Sequence, residues 1–332
     1  MSALPISLAD VRAARERIRP YLPATPLRRY APLEAEVGYG IRVFVKHDNH
    51  LPTQAFKARN GMSAMSALPP EQRKRGVVAA TRGNHGQALA WAGQILSIPV
   101  TICVPLGNNP EKNTAMRGFG AQLIEEGGDY DAAAQVAERL VRERGMTLIH
   151  SSNNKDIIAG AGTMALEMLE QEPGLDALVL AVGGGSQAVG ALTVASEVKP
   201  GLAVYAVQAA QASAAHDSWH AKRRMTGASA NTFADGLATR STYDMTFPAL
   251  QAGLKGFVTA SEREIAEAVR VFLRATHNLA EGAGAAGLAG LYSLRETLAG
   301  KSVGISLCGA NIDQETLRRV VSRELERPAR GG

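Results

Sequence analysis

The sequence predicts an α/β protein with mostly parallel sheets. Predicted strands and helices alternate along most of the chain, and this order places crossover helices between parallel strands. The chain has 332 residues, of which 45% are hydrophobic and 20% are charged. This composition is typical of a globular protein with ample core, and the length suits two domains or one large α/β unit.

Eight short segments are predicted to be strands, because each is an apolar or alternating run bounded by turn residues. They cover residues 41–46, 76–80, 100–104, 121–125, 147–150, 177–182, 203–208 and 303–307. Helices are predicted at 87–96, 130–144 and 187–198, near Lys57, and after the last strand. Ser7 with Asp10 and Ser261 with Glu264 have the spacing of capping boxes and predict two more helix starts. Residues 209–251 are rich in small residues and predict loops with short helices.

The net charge is +5 and the isoelectric point about 9.3. Aromatic residues are only 5% of the chain, and none interleave with the basic clusters at 73–75 and 222–224. We therefore do not expect nucleic-acid binding. An electropositive interior that attracts anionic ligands explains the charge equally well.

The chain contains two cysteines, Cys103 and Cys308, far apart in sequence. This count does not indicate a disulfide framework and favours a reducing compartment. The first residues show no signal-peptide pattern, and no uncharged apolar run approaches the roughly 20 residues needed to span a membrane. These observations predict a cytoplasmic protein without a membrane partner.

Lys57 stands between Phe56 and Ala58 at the start of a predicted helix. An amine beside apolar groups and a cation loses its proton more easily, which a Schiff-base lysine requires. Taken alone, Lys57 is better interpreted as a helix lysine that reaches solvent. Three motifs farther along the chain reverse that interpretation.

The first is the turn from Thr81 to Gln87, which follows a strand and precedes a helix. Backbone N–H groups at such a turn, unobstructed at Gly83 and Gly86, can bind a carboxylate. The alternative is a tight turn in which Asn84 caps the helix.

The second is the glycine run 183–185, followed by Ser186, at another strand-to-helix turn. Such a turn binds phosphate through backbone N–H groups. A dinucleotide site would place an acidic residue at the end of the next strand, where this chain has Gln208. The run therefore predicts a site for a small phosphate.

The third is Cys308, at the end of the last predicted strand. A small, weakly polar group at that position could face a cofactor ring. A buried structural cysteine is the alternative. Together, an activated lysine, an anion turn, a phosphate turn and a small polar group describe a site for pyridoxal 5'-phosphate (PLP).

From about residue 26 to 313, these four motifs resemble, in order, those of fold-type II PLP enzymes. The group is that of threonine and serine dehydratases and serine racemases. The resemblance implies two domains of the tryptophan synthase β type, each with a mostly parallel twisted sheet flanked by helices. Residues 1–75 with 149–325 would form the large PLP-binding domain and 76–148 a small mobile domain. It also implies a homodimer.

The resemblance also implies residue roles. Lys57 would form the Schiff base with PLP and move the Cα proton, while Phe56 would flank the ring. Asn84 would bind the ring hydroxyl, and Cys308 would face the ring nitrogen. The phosphate would be bound by Gly183, Gly184, Gly185 and Ser186. The substrate would be bound by Thr81, Arg82, Gly83 and His85.

Two departures from the family pattern change the expectation. Arg82 replaces a serine that is the second acid/base of the racemases, and an arginine cannot abstract a proton. Gln208 replaces the acidic residue that often begins a divalent-cation site. We expect neither racemisation nor a metal, and we interpret the pairs His47 with His50 and His216 with His220 as solvated histidines.

The sequence therefore predicts a PLP-dependent dehydratase that eliminates water from a β-hydroxy-α-amino acid and releases a 2-oxo acid and ammonia. L-Threonine and L-serine are the expected substrates, or a bulkier analogue such as phenylserine. The alternatives are a β-replacement synthase similar to cysteine synthase and, less favoured, a non-enzymatic protein that binds a phosphate ligand.

Overall fold

A computed structural model describes residues 4–326. Its ten strands are β1 (Leu27–Arg29), β2 (Arg42–Lys46), β3 (Val77–Ala80), β4 (Val100–Val104), β5 (Gln122–Glu125), β6 (Thr147–Leu148), β7 (Ala177–Ala181), β8 (Ala203–Ala209), β9 (Gly256–Ala260) and β10 (Ser302–Ser306). The helices before the phosphate turn are α1 (Leu8–Ile18), α2 (Ala31–Val37), α3 (Lys57–Ser66), α4 (Pro70–Arg75), α5 (Asn84–Leu96), α6 (Pro110–Gly118), α7 (Tyr130–Arg144) and α8 (Lys155–Gln171). Those after it are α9 (Ser186–Val198), α10 (Ala214–Ala221), α11 (Phe247–Gly253), α12 (Glu262–Thr276), α13 (Gly282–Ser293) and α14 (Gln314–Val321).

The strands form two sheets. One has six strands in the order β1-β2-β10-β7-β8-β9, and only the edge pair β1–β2 is antiparallel. The other has four parallel strands in the order β5-β4-β3-β6. The predicted α/β class with mostly parallel sheets is confirmed. Because parallel strands point the same way, their carboxyl ends share one edge of each sheet, where open α/β proteins bind ligands.

Local sequence accounts for several helix starts. Ser7 and Ser261 each cap a helix, and the acidic side chains of Asp10 and Glu264 bond back to the cap, so both predicted capping boxes are confirmed. Residues 209–251 contain α10, α11 and short 3₁₀ turns, as their composition predicts.

Helix α3 lies against α5 of the four-stranded unit and against α8 of the six-stranded unit. Glycines allow this close approach: a Cβ on Gly61 would lie 2.7 Å from the Ala88 carbonyl oxygen, and a Cβ on Gly160 would lie 2.6 Å from that of Arg59. The apolar side of α3 belongs to the same core as β3 and β4. Packing therefore crosses the predicted boundary at residue 75, and the domain limits and the mobility of 76–148 stay predictions.

Sequence patterns did not indicate seven elements: the strands β1 and β9, the short helices α2, α4 and α6, and the longer helices α8 and α13. Helices α8 and α13 are buried on nearly all sides, so their sequences lack the polar stripe that marks a surface helix. The two missed strands are the outermost strands of the six-stranded sheet. Within residues 4–326, no helix has the length and apolarity to cross a membrane.

Candidate active site

The chain that enters α3 is attached to the end of β10. Ala55 pairs with Gly309, the Phe56 N–H donates to the Cys308 carbonyl at 2.8 Å, and the Ala310 N–H donates to the Gln54 carbonyl at 2.9 Å. These backbone bonds bring Lys57, the first residue of α3, beside the end of the last strand.

The amine of Lys57 has weak neutral partners. Nζ lies 3.5 Å from both the Ser151 carbonyl oxygen and Ser186 Oγ, and 4.8 Å from the centre of the Phe56 ring. Burial lowers the pKa of Lys57 to about 8. The sequence argument also invoked a neighbouring cation, and this part of it is wrong. The adjacent guanidinium of Arg59 is bonded to Asp48 and Glu167, and burial alone lowers the pKa.

The glycine turn between β7 and α9 has no room for side chains. A Cβ would lie 2.2 Å from the Gly236 carbonyl oxygen if built on Gly183, and 1.8 Å from Ser152 Oγ if built on Gly184. Gly185 has φ of +90°, which favours glycine. The backbone of this turn is therefore unobstructed where it enters α9, and N–H groups at the N-terminus of that helix can bind an anion.

Asn84 is held by two neighbours at the start of α5. Its Nδ2 donates to Glu281 Oε1 at 2.6 Å, and its Oδ1 accepts from Asn311 Nδ2 at 2.8 Å. Burial raises the pKa of Glu281, partly offset by Lys112 and by the bond from Asn84. Asn84 is thus fixed between the two halves of the molecule, with one amide N–H still available.

Cys308 is 4% exposed, and its Sγ lies 3.5 Å from the Ala283 carbonyl oxygen. Burial raises the pKa of this thiol far above its usual range, so the group is neutral. Cys308 is therefore buried, as its structural interpretation required, and also near Lys57, as its cofactor role requires.

The predicted substrate residues divide into an inner and an outer set. Thr81 is buried and its Oγ1 accepts from the Gly83 N–H at 3.2 Å. His85 is also buried, and its Nε2 lies 2.9 Å from the Ile149 carbonyl oxygen. The side chain of Arg82 is exposed and lines the cleft described next.

An open cleft of about 690 Å³ leads from Arg82 toward Glu281, Ala283 and Asn311. An ion pair that was not expected from sequence lies on its wall, between Lys112 of α6 and Asp235. Burial opposes the charge of Lys112, but Asp235 and Glu281 outweigh it and raise the pKa of the amine.

Among residues 4–326, no group of three or more histidine, cysteine or carboxylate side chains is arranged to bind a metal ion. The interpretation of the two histidine pairs as solvated is wrong for His47. It is fully buried, its Nε2 lies 2.8 Å from Tyr30 Oη, and burial lowers its pKa to about 4.

The family model for pyridoxal-phosphate dependent enzymes matches residues 18–309. The chain belongs to this family. It is 34% identical to the L-threonine ammonia-lyase of Thermotoga maritima over 325 residues, covering 98% of this chain and 80% of that protein. It is 33% identical to the L-threo-3-hydroxyaspartate ammonia-lyase of a Pseudomonas species, covering 93% of this chain and 96% of that protein.

Among solved structures, the fold is similar to that of maize serine racemase, with a TM-score of 0.90 and 30% identity over 96% of this chain and 98% of that one. The predicted resemblance to fold-type II PLP enzymes, the cofactor and the enzyme class are confirmed.

The residues present fit PLP. A buried amine of lowered pKa stands next to a turn that offers backbone N–H groups and excludes side chains.

Proposed function

We propose that this PLP-dependent enzyme eliminates water from a β-hydroxy-α-amino acid to give a 2-oxo acid and ammonia, with Lys57 as its catalytic base. One observation carries the proposal. The Lys57 amine is buried beside the first residue of α9, directly after the 183–185 turn, with only neutral hydrogen-bond partners.

The cofactor is held by groups from both halves of the chain. Lys57 would bind its aldehyde group, Phe56 would flank the ring, Asn84 would bind the ring hydroxyl with its remaining N–H, and Cys308 would face the ring nitrogen. The phosphate would be bound by the backbone of Gly183, Gly184 and Gly185 and by Ser186. When bound, PLP supplies an electron sink for the substrate Cα.

Lys57 accepts the Cα proton. An amine with a pKa of about 8 is partly neutral near neutral pH, whereas a lysine of ordinary pKa is almost entirely protonated. A neutral thiol such as that of Cys308 would not protonate the ring nitrogen, so the cofactor would supply a weaker electron sink. This suits β-elimination, in which the departing hydroxyl carries away the charge.

The substrate carboxylate is bound by the turn that contains Thr81, Gly83 and His85. Thr81 orients the turn by accepting the Gly83 N–H, and His85 packs behind it. Arg82 contributes a guanidinium at the cleft wall that can bind a carboxylate with two parallel N–H bonds. An arginine cannot abstract a proton, so position 82 supplies no second base and we propose elimination without racemisation.

L-Threonine and L-serine are the proposed substrates. The cleft also leaves room for larger β-substituents, including a phenyl group or a second carboxylate. Ammonia release from serine, threonine, 3-hydroxyaspartate and phenylserine tests the proposal, together with a PLP absorbance that borohydride changes. If the enzyme instead joins an added thiol to the substrate, forms a new β-substituted amino acid and releases no ammonia, it is a β-replacement synthase.

The active enzyme is proposed to be a homodimer that acts on its small-molecule substrate in the cytoplasm. Light scattering of the purified protein tests the first point, and fractionation of the source cells tests the second.

A further inference from the structure

The hydroxyl of Ser186 lies between two side chains of α3. Its Oγ is 3.5 Å from Lys57 Nζ and 3.4 Å from Asn60 Nδ2. Lys57 and Asn60 are three residues apart, so one face of the helix presents both to Ser186. Ser186 is 2% exposed and Asn60 is 0% exposed, so the contact between these two side chains is shielded from bulk water, while Lys57 is half-buried.

The contacts of Ser186 determine where its proton points. A hydroxyl oxygen has two lone pairs and one proton. N–H groups of Lys57 and Asn60 occupy the two lone pairs, so the O–H is directed away from both side chains. Because Ser186 directly follows Gly185, this O–H is available to an anion bound at the turn.

The same contacts orient the amine of Lys57. A neutral amine has two N–H groups and one lone pair, and it can accept a proton only along the lone pair. The Ser151 carbonyl oxygen and Ser186 Oγ accept the two N–H groups. The lone pair is thereby confined to the remaining tetrahedral direction.

Asn60 contributes only one of its two polar atoms to this arrangement. Its Oδ1 has no protein partner among residues 4–326, although the whole side chain is buried. A buried oxygen without a partner destabilises the folded protein, and a leucine of similar size would avoid that penalty. The contact of Nδ2 with Ser186 is what distinguishes asparagine from leucine at this position.

We infer that Asn60 is a positioning residue that acts through Ser186 to orient the Lys57 amine for proton transfer. Asn60 occupies one lone pair of the hydroxyl, so that Lys57 meets the other lone pair in a single orientation. The inference rests on the proposed function, because it takes Lys57 as the group that moves the Cα proton.

The test compares Asn60→Leu, Ser186→Ala and the double variant, all saturated with PLP. The control is Ser63→Ala, which removes another fully buried polar group from α3. Asn60→Leu is expected to lower kcat roughly 2- to 10-fold, the size of one hydrogen bond between neutral groups. Its KM and its PLP affinity should stay within about twofold of the parent, because Asn60 acts through Ser186 on proton transfer. The isotope effect with Cα-deuterated substrate should increase, and Ser63→Ala should match the parent.

The double variant decides whether Asn60 acts through Ser186. Its kcat should be no lower than that of Ser186→Ala alone, because residues that act as a unit are non-additive. Independent effects that multiply would overturn the inference, as would parental kcat and isotope effect in Asn60→Leu. If Asn60→Leu does not fold, Asn60→Ala replaces it in the same comparison.

A measurement on the apoprotein separates this inference from the proposed function. The pH dependence of the reaction between Lys57 and pyridoxal, which lacks the phosphate, reports the amine pKa without turnover. Ser186→Ala should lower that pKa, because it removes an acceptor that stabilises the ammonium form. An unchanged pKa contradicts the inference alone. A parent enzyme that releases no ammonia from any tested hydroxy amino acid contradicts the proposed function.

Discussion

Lys46 and Lys57 both carry their amines inside the protein, in opposite electrostatic surroundings. The Lys46 amine lies 2.7 Å from Glu167, and the same carboxylate binds Arg59, which also pairs with Asp48. The Lys57 amine has two neutral oxygens at 3.5 Å. The two cations and two carboxylates around Lys46 balance one another and complete the core below α3. The Lys57 amine has no counterion, and a lysine without a counterion can act as a base near neutral pH.

The largest expected effect comes from removing the unbalanced amine. Lys57→Ala should lose the borohydride-sensitive PLP absorbance and lower kcat by at least about three orders of magnitude. The free energy of unfolding near neutral pH should not fall, because no ion pair is broken and the unfavourable burial of a charge is removed. Absorbance spectra and ammonia release measure the first two effects, and urea unfolding the third. Near-parental turnover would remove Lys57 from the mechanism.

Substitution in the charge cluster of Lys46, Asp48, Arg59 and Glu167 should instead lower stability. Arg59→Met leaves Asp48 and Glu167 buried with only Lys46 to balance them, so the free energy of unfolding should fall by about 3–5 kcal/mol. The control is Arg19→Met on the surface, where the pair with Glu16 is exposed and the loss should stay below about 1 kcal/mol. Urea unfolding of both variants measures the difference, and equal losses would contradict the assignment of the cluster to stability.

This difference between the two lysines was only partly predictable from sequence. The position of Lys57 beside Phe56, and its order relative to the glycine run, predicted the site. Sequence could not show that Arg59 is bonded to Glu167, because that partner lies on α8, a helix with no polar stripe to reveal it. The ion pair of Lys112 with Asp235 was equally hidden, since the two residues belong to distant segments that only the tertiary fold brings together.

The same limit applies to the fold. The central strands were predicted because each is a compact apolar run between turn residues. Strand β9 was missed although it pairs along its whole length with β8, because pairing is a long-range property that local pattern does not record. Helix α13 was missed because its Gly- and Ala-rich sequence is buried nearly all round.

The glycine turn 183–185, which lies beside Lys57, is the proposed phosphate site and can be tested by substitution. Gly183→Ala places a Cβ 2.2 Å from the Gly236 carbonyl oxygen, a backbone atom that no side-chain rotation can move, so the turn must shift. PLP affinity is expected to fall at least about tenfold while the fold persists, since the backbone N–H groups no longer converge on the anion. The control is Gly118→Ala, where a Cβ meets no atom within 4 Å. Fluorescence titration of the two apoproteins with PLP gives the comparison, and equal affinities would exclude the turn from the phosphate site.

The pH dependence of stability measures the free-energy penalty of burying the Lys57 ammonium group. The pKa of Lys57 is about 8 in the folded apoprotein and near 10.5 when unfolded. Between those values the unfolded chain binds more protons, so the free energy of unfolding rises with pH. Relative to that of Lys57→Met, the free energy of unfolding of the parent apoprotein should rise by about 1–2 kcal/mol from about pH 7.5 to about pH 9.5. Urea unfolding at both values checks this, and a difference that stays constant with pH would mean that the Lys57 pKa is not lowered.

Arg82 is a third kind of cation, neither buried nor part of the cluster that contains Arg59, and its variant has the smallest expected effect. It is exposed on the wall of the cleft. If it binds the substrate, Arg82→Ser should raise KM several-fold and kcat should change less, because binding interactions of this kind favour ground and transition states alike. The serine could also give a trace of racemisation, since its hydroxyl can exchange a proton where the guanidinium cannot.

Arg319→Ser is the matched control for Arg82→Ser, because Arg319 lines the same cleft and its loss removes the same charge. Steady-state kinetics with threonine and 3-hydroxyaspartate, with chiral analysis of the recovered substrate, separates the two arginines. A larger KM effect for the dicarboxylate in Arg82→Ser alone would show that the guanidinium recognises a specific carboxylate. Equal effects in both variants would reduce Arg82 to a contribution to the general positive potential of the cleft. Fast racemisation by the parent enzyme would refute the argument that Arg82 leaves that face of the cofactor without a base.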